Sequence, residues 1–97
     1  MNYQLVYMDK ALDDLLGIKE HLSRFYPNTA KRFLDLLEKK AEMLMDNPYI
    51  YPEYVHRPAY RKIVVSDYIL LYKVNENRKT VAVHRILHGA RDIREYL

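Results

Sequence analysis

The chain has 97 residues, 49% of them hydrophobic and 30% charged, with a net charge of +3 and no cysteine. That length holds one core rather than two, and the composition is that of a globular chain, not a disordered one. Disulfides, thiolate catalysis and cysteine-ligated metals are excluded, and no apolar run reaches the roughly 20 residues that span a bilayer.

A single domain over residues 1–97 is therefore expected. The N-terminus carries no basic stretch followed by an apolar run, so no secretory signal is expected and the expected location is the cytoplasm. The charge is unevenly spread. Residues 1–47 carry seven Lys/Arg against eight Asp/Glu, a net −1, while residues 48–97 carry nine against five, a net +4. The positive potential of the second half suits nucleic acid or an acidic protein, unless it is only a solvated face.

In chain order, Tyr3-Gln-Leu-Val-Tyr7 is rich in aromatic and branched residues and predicts a short strand. Asp9 is expected to cap a helix, with Asp13 and Asp14 near its positive end. Ala11, Leu15, Ile18, Leu22 and Phe25 recur at helical spacing, and Leu12 and Leu16 widen the stripe. Gly17 costs about 1 kcal/mol against Ala inside a helix, which suggests close packing of another backbone there. Tyr26-Pro27-Asn28 reads as a three-residue link, with Asn28 as the cap of a second helix. Ala30, Phe33, Leu34, Leu37, Ala41 and Leu44 form its apolar face to about Asp46, so the two helices make an antiparallel hairpin.

Asn47-Pro48 closes that helix. Tyr49 to Tyr60, with four tyrosines and two further prolines, reads as an ordered extended loop whose rings pack against the domain rather than stack on bases. Strands are expected at about Tyr60–Val65, Tyr68–Val74 and Thr80–Leu87, joined by a two-residue Ser66-Asp67 turn and a longer Asn75–Arg78 turn. Apolar residues on both faces of the last two strands predict a sheet covered by the hairpin on one side and partly covered on the other. A last helical turn over Asp92–Leu97 is also expected. The order β-α-α-β-β-β predicts an α+β domain, a helical hairpin packed on a small, mostly antiparallel sheet.

Gly17 and Gly89 are the only glycines, so no phosphate-cradling loop exists. His84 and His88, four apart on a strand, would share a face and can bind a metal in principle, but no carboxylate has suitable spacing, and neither a metal nor a cofactor is expected. His21 is expected on a helix surface and His56 in a loop. The basic set is more informative: Arg61, Lys62, Arg85, His88, Arg91 and Arg94, with Asp92 among them, can converge at one end or one face of the sheet. Arg grips phosphate or carboxylate through a planar fork. With His as proton donor, such a cluster can support metal-free phosphoryl transfer. It can equally serve docking, and Arg85 can simply pair with Asp92 or Glu95.

At these residues the chain resembles the ParE/RelE superfamily of bacterial toxins from type II toxin–antitoxin systems. The landmarks are Asp9-Lys-Ala-Leu-Asp-Asp-Leu, Asn28-Thr-Ala-Lys-Arg-Phe33, Asp46-Asn-Pro48, Tyr60-Arg61-Lys62, Tyr68-Ile-Leu-Leu-Tyr72-Lys-Val and Arg85-Ile-Leu-His88-x-x-Arg91-Asp92. The resemblance implies the fold derived above and an antitoxin encoded by the adjacent gene, held in a toxin–antitoxin hetero-oligomer. It implies one of two targets. ParE-like members bind DNA gyrase, with Arg61, Lys62, Arg85, His88, Arg91 and Asp92 as target-binding or anion-binding residues here. RelE-like members cleave mRNA on the ribosome without metal, which would make Arg61, Arg85 and His88 catalytic.

The ending around Arg85 and His88 is similar to the ParE-like branch. The 47–60 segment holds only Arg57 as a full positive charge, unlike the lysine-rich segment of RelE-like chains. A ParE-like gyrase-binding toxin, not an enzyme, is the expectation. An mRNA endonuclease and a non-toxic interaction module are the alternatives.

Overall fold

The computed structural model describes residues 2–89, and every structural statement below refers to these. Strand β1 (Gln4–Tyr7) leads directly into helix α1 (Asp9–Phe25), which is followed by α2 (Pro27–Asp46), β2 (Glu53–Tyr54), β3 (Arg57–Val65), β4 (Tyr68–Asn75) and β5 (Thr80–His88). The strands form one sheet in the order β1-β5-β4-β3-β2, with β1 parallel to β5 and the other pairs antiparallel. The α+β hairpin-on-sheet architecture is the one the sequence predicts. The expected turn at Asp92–Leu97 lies outside the described residues.

The helix ends differ from expectation for a backbone reason. The Met8 amide still donates to the Val83 carbonyl at 2.9 Å, so β1 keeps its pairing up to the first helical residue. Met8 is thus the extended N-cap, without a side-chain cap, and Asp9 sits inside the first turn. At the hairpin, Pro27 occupies the first position of α2, where its missing N–H costs nothing. Tyr26 alone links the helices, and Asn28 lies within α2 rather than capping it.

The main core lies between the hairpin and one sheet face. Ala11 and Leu22 of α1 and Ala30, Phe33, Leu37 and Leu44 of α2 meet Ile63, Val65, Leu70, Tyr72, Val81, Val83 and Ile86. Each large side chain here contributes about 1.5–3 kcal/mol by leaving water. Tyr72 is fully buried, and its hydroxyl donates to the Pro48 carbonyl at 2.7 Å, which anchors the segment leaving α2. Burial pushes that phenol up to about 12. The α1 stripe is narrower than its sequence periodicity: Leu12, Leu16 and Phe25 are exposed. A Cβ on Gly17 would meet nothing within 4 Å, so this glycine admits no close backbone and instead borders open space.

On the opposite face, Tyr54, Leu71 and Leu87 form a smaller cluster with Tyr60 and Ile69 against it. Part of the expected loop is therefore strand. The β2 pair Glu53–Tyr54 adds to the edge of β3, and β3 starts at Arg57 and includes Pro58. The β3–β4 turn is Ser66-Asp67, with Ser66 at a positive φ of 56°, as a two-residue hairpin requires at its first position.

A bulge in β5 decides which residues face which way. Tyr72 pairs with Val83 but Leu71 pairs with Arg85, leaving His84 as the extra residue. Beyond it the alternation of faces is reset, so that Val83 and Ile86 both join the main core while Leu87 joins the smaller cluster.

Candidate functional site

The bulge separates the two histidines that simple alternation places together. The His84 ring stands edge-on to Tyr60, 5.2 Å between centroids, on the face away from the helices. The His88 ring stands edge-on to Tyr68 at 5.5 Å, and Tyr68 in turn packs edge-on against Phe33 of α2. The expectation of a shared face is thus corrected: one imidazole lies on each side of the sheet. No group of three His, Asp or Glu side chains among the described residues is placed to hold a metal ion.

Arg85 is aimed at α1 by the same bulge. Its Nε donates to Asp14 Oδ2 at 2.7 Å and its Nη2 to Asp14 Oδ1 at 2.8 Å, a two-toothed fork. The Ile86 amide also donates to Asp14 Oδ2, at 3.0 Å. Both side chains are about five-sixths buried, with 16% and 15% of their surface exposed. Sequence reasoning places Asp14 near the helix dipole and offers Asp92 or Glu95, both outside the described residues, as partners of Arg85. Among the described residues, a carboxylate some 71 residues earlier in the chain accepts from the fork.

Next to this pair runs a groove of about 620 Å³ between α1 and the end of β5. Asp13, Asp14, Gly17, His21, Tyr68 and His88 are among its lining residues, and the missing side chain of Gly17 helps keep it open. His21, expected only as a surface residue, stands here with its ring 5.0 Å from Phe25. Arg85 and His88 therefore border the same groove, but two carboxylates border it with them. An anion entering there would meet Asp13 and Asp14 as well as the bases.

Arg61 belongs to a different site. Its Nη1 donates to the Tyr51 carbonyl at 2.6 Å, its guanidinium lies 5.0 Å from the Tyr49 ring centroid, and Glu53 is 3.8 Å away. It fastens the 47–54 segment to β3. Lys62, on the opposite face, holds its ammonium 5.9 Å from the Tyr54 ring centroid. The four described members of the basic set thus do not share one site. Arg85 and His88 share a groove, Arg61 and Lys62 face elsewhere, and Arg91, Asp92 and Arg94 lie outside the described residues.

Sequence reasoning passed over two further groupings. One is a junction at Glu76 in the β4–β5 turn, whose carboxylate accepts from the Tyr3 hydroxyl, from the Tyr49 hydroxyl at 2.6 Å and from Lys79 Nζ at 2.7 Å. These donors, Lys79 first, hold the Glu76 carboxyl at about 2, and the same bond pushes the Tyr49 phenol up to about 12. The other lies on the sheet face turned away from the helices. There Lys73 stands 4.5 Å from the Tyr60 ring centroid, beside His84, whose pKa is lowered by burial and then by Lys73.

Exposed apolar side chains form a stripe of their own. Met8, Leu12 and Leu16 recur every four residues from the start of α1 and are 43%, 43% and 63% exposed. The stripe lies at the side of the sheet where β1 is the edge strand among the described residues. Among the described residues no helix is long and apolar enough to cross a membrane.

The family model described as "ParE toxin of type II toxin-antitoxin system, parDE" matches residues 5–93. No curated protein matches the chain in sequence. Among solved structures, the chain is similar to one from the chromosomal ParDE toxin–antitoxin system of P. aeruginosa. The TM-score is 0.73 at 18% identity, covering 90% of this chain and 96% of the other. It is also similar to one from the intact E. coli RelBE toxin–antitoxin complex, with a TM-score of 0.66 at 23% identity, covering 92% and 99%. The isolated E. coli RelE toxin gives a TM-score of 0.66 at 22% identity, covering 98% and 99%. At these identities the likenesses establish the fold alone.

Proposed function

Because the chain belongs to the ParE toxin family of type II toxin–antitoxin systems, we propose that it arrests growth by engaging DNA gyrase and that it is not a nuclease. The observation that carries this reading is the Asp14–Arg85 fork. A catalytic arginine must be available to the phosphate whose charge it neutralises. Here two of its donors, Nε and Nη2, are already given to the Asp14 carboxylate, and Asp13 adds a second negative charge to the groove lining. Arg61 acts as a brace for the 47–54 segment rather than as a partner of His88. The groove is better suited to protein docking than to an RNA phosphate.

The test is a supercoiling reaction with purified gyrase, relaxed plasmid and the toxin. Accumulation of cleaved plasmid is the expected result, and intact supercoiling at excess toxin is the result that refutes it. The second reading, metal-independent mRNA cleavage, has His21, Arg85 and His88 at one groove in its favour. Codon-positioned cuts in a ribosome-bound message would support it.

The reading also includes a cognate antitoxin encoded beside the toxin, by likeness to the solved toxin–antitoxin complexes. The Met8–Leu12–Leu16 stripe beside the β1 edge strand is the surface proposed for it. A segment that folds on binding can lay a helix on such a stripe or add a strand to such an edge. A net charge of +4 in residues 48–97 favours an acidic one. Harmless expression without the neighbouring gene would instead mark the chain as a non-toxic interaction module.

A further inference from the structure

The sheet face turned away from the helices has an unusual charge composition. Strands β1, β3, β4 and β5 contain no Asp or Glu at any position, and the one strand carboxylate, Glu53 of β2, pairs with Arg61. The cations on this face are placed in order. Lys62 pairs across to Leu71, and Lys73 lies two residues further along β4, so the two are diagonal neighbours about 7–8 Å apart. Their ammonium groups stand over the Tyr54 and Tyr60 rings, 5.9 and 4.5 Å from the centroids, which holds both half-buried lysines on this face.

Beyond Lys73 the row continues as a groove of about 640 Å³ over the ends of β1, β4 and β5, bordered by Lys73, Arg78, His84 and the apolar Val6 and Met8. Among the described residues Glu76 is the only carboxylate on that groove's lining, and Lys79 and two tyrosine hydroxyls already occupy it.

We propose that this face, through Lys62, Lys73 and Arg78, docks the phosphate backbone of duplex DNA. The inference rests on the gyrase reading above and extends it: the toxin would grip the DNA that gyrase holds as well as the enzyme. Base stacking has no part in it, because Tyr54 is buried and Tyr60 is covered by Lys73 and His84. The contact is therefore independent of base sequence and dominated by counterion release. Three cations give a log–log salt slope of roughly −2 to −3 for duplex DNA. Such binding is weak alone and effective only where gyrase already concentrates the DNA.

The experiment is fluorescence anisotropy of a labelled DNA duplex of about 16 base pairs with the full-length toxin, across a salt series. Wild type should bind with the stated slope. K62Q/K73Q should weaken binding at low salt by tenfold or more and reduce the slope by roughly 1 per lysine. K62R/K73R, which keeps the charge, should retain binding, and a thermal melt of each variant excludes unfolding as the cause. Unchanged binding in K62Q/K73Q overturns the proposal. So does equal affinity for a poly-glutamate peptide, which reassigns the face to an acidic protein, or tighter binding of the same sequence as single-stranded RNA.

A parallel gyrase assay separates the two readings. If wild type accumulates cleaved plasmid but binds no free duplex, and K62Q/K73Q does the same, the DNA-docking face fails and the gyrase reading stands. If wild type leaves gyrase untouched while binding DNA through these lysines, the gyrase reading fails and the docking face stands.

Discussion

Arg85 and Asp14 meet edge to edge, with two N–H···O bonds of 2.7 and 2.8 Å joining the residue after the β5 bulge to the second turn of α1. The third bond to the same carboxylate, from the Ile86 amide at 3.0 Å, ties the strand backbone into the pair. Charge-assisted forks of this kind are among the stronger polar contacts, and this one is mostly screened from water. Asp14→Ala leaves a guanidinium and an amide without that acceptor, and should cost about 3 kcal/mol. Urea unfolding checks this, and a loss below about 0.5 kcal/mol, the range of ordinary surface substitutions, would show the fork to be incidental. Arg85→Lys should also destabilise, since a single ammonium cannot reproduce the fork. A loss of toxicity in an Arg85 variant is thus informative only beside its stability.

The Glu76 junction predicts an acid-sensitive fold. Its carboxyl is held at about 2, below the ordinary 4.5, by Lys79, Tyr3 and Tyr49. The folded state therefore binds this proton less readily than the unfolded chain does. The stability it confers is complete above about pH 4.5 and is lost as pH falls through 2. Wild type and Glu76→Gln should differ in urea midpoint at pH 7 and converge toward pH 2, as measured by a series of unfolding curves.

His84 predicts a second pH dependence. Burial, then the Lys73 ammonium, lower its pKa below 6.5, so the folded state disfavours the imidazolium. Any stability this residue confers is full above pH 6.5 and declines as pH falls through the lower folded value. Lys73→Met should move the NMR titration midpoint of His84 upward. A midpoint at or above 6.5 in wild type would contradict the placement of this ring.

Leu16 tests the antitoxin surface. It is 63% exposed, so Leu16→Glu should change stability by no more than about 0.5 kcal/mol. The same change puts a charge at the most exposed end of the Met8–Leu12–Leu16 stripe. Copurification of the adjacent gene product should fall sharply in this variant and remain normal in a control such as Lys31→Glu on α2.

The order of elements and the helix faces were legible in the sequence because they rest on local periodicity. Leu22, Phe33, Leu37 and Leu44 recur at helical spacing and are buried as that spacing requires. The site was less legible because it depends on register. One extra residue in β5 moves His84 and His88 to opposite faces, and nothing in Thr80–His88 announces that bulge. The partner of Arg85 lies on another element, so only the packing of α1 on β5 brings Asp14 to it. Leu12 and Leu16 fit the apolar stripe equally well, yet they lie on the part of α1 that the packing against α2 and the sheet leaves exposed. Lys62 and Lys73 gain meaning only when β3 and β4 pair and place them diagonally on a face without carboxylates.

The most direct test of the central claim is a gyrase supercoiling reaction with purified toxin, in which cleaved plasmid is quantified beside translation in a reconstituted ribosomal system. The account predicts cleaved plasmid rising with toxin concentration while translation proceeds. Unimpaired supercoiling together with codon-positioned mRNA cuts would contradict it.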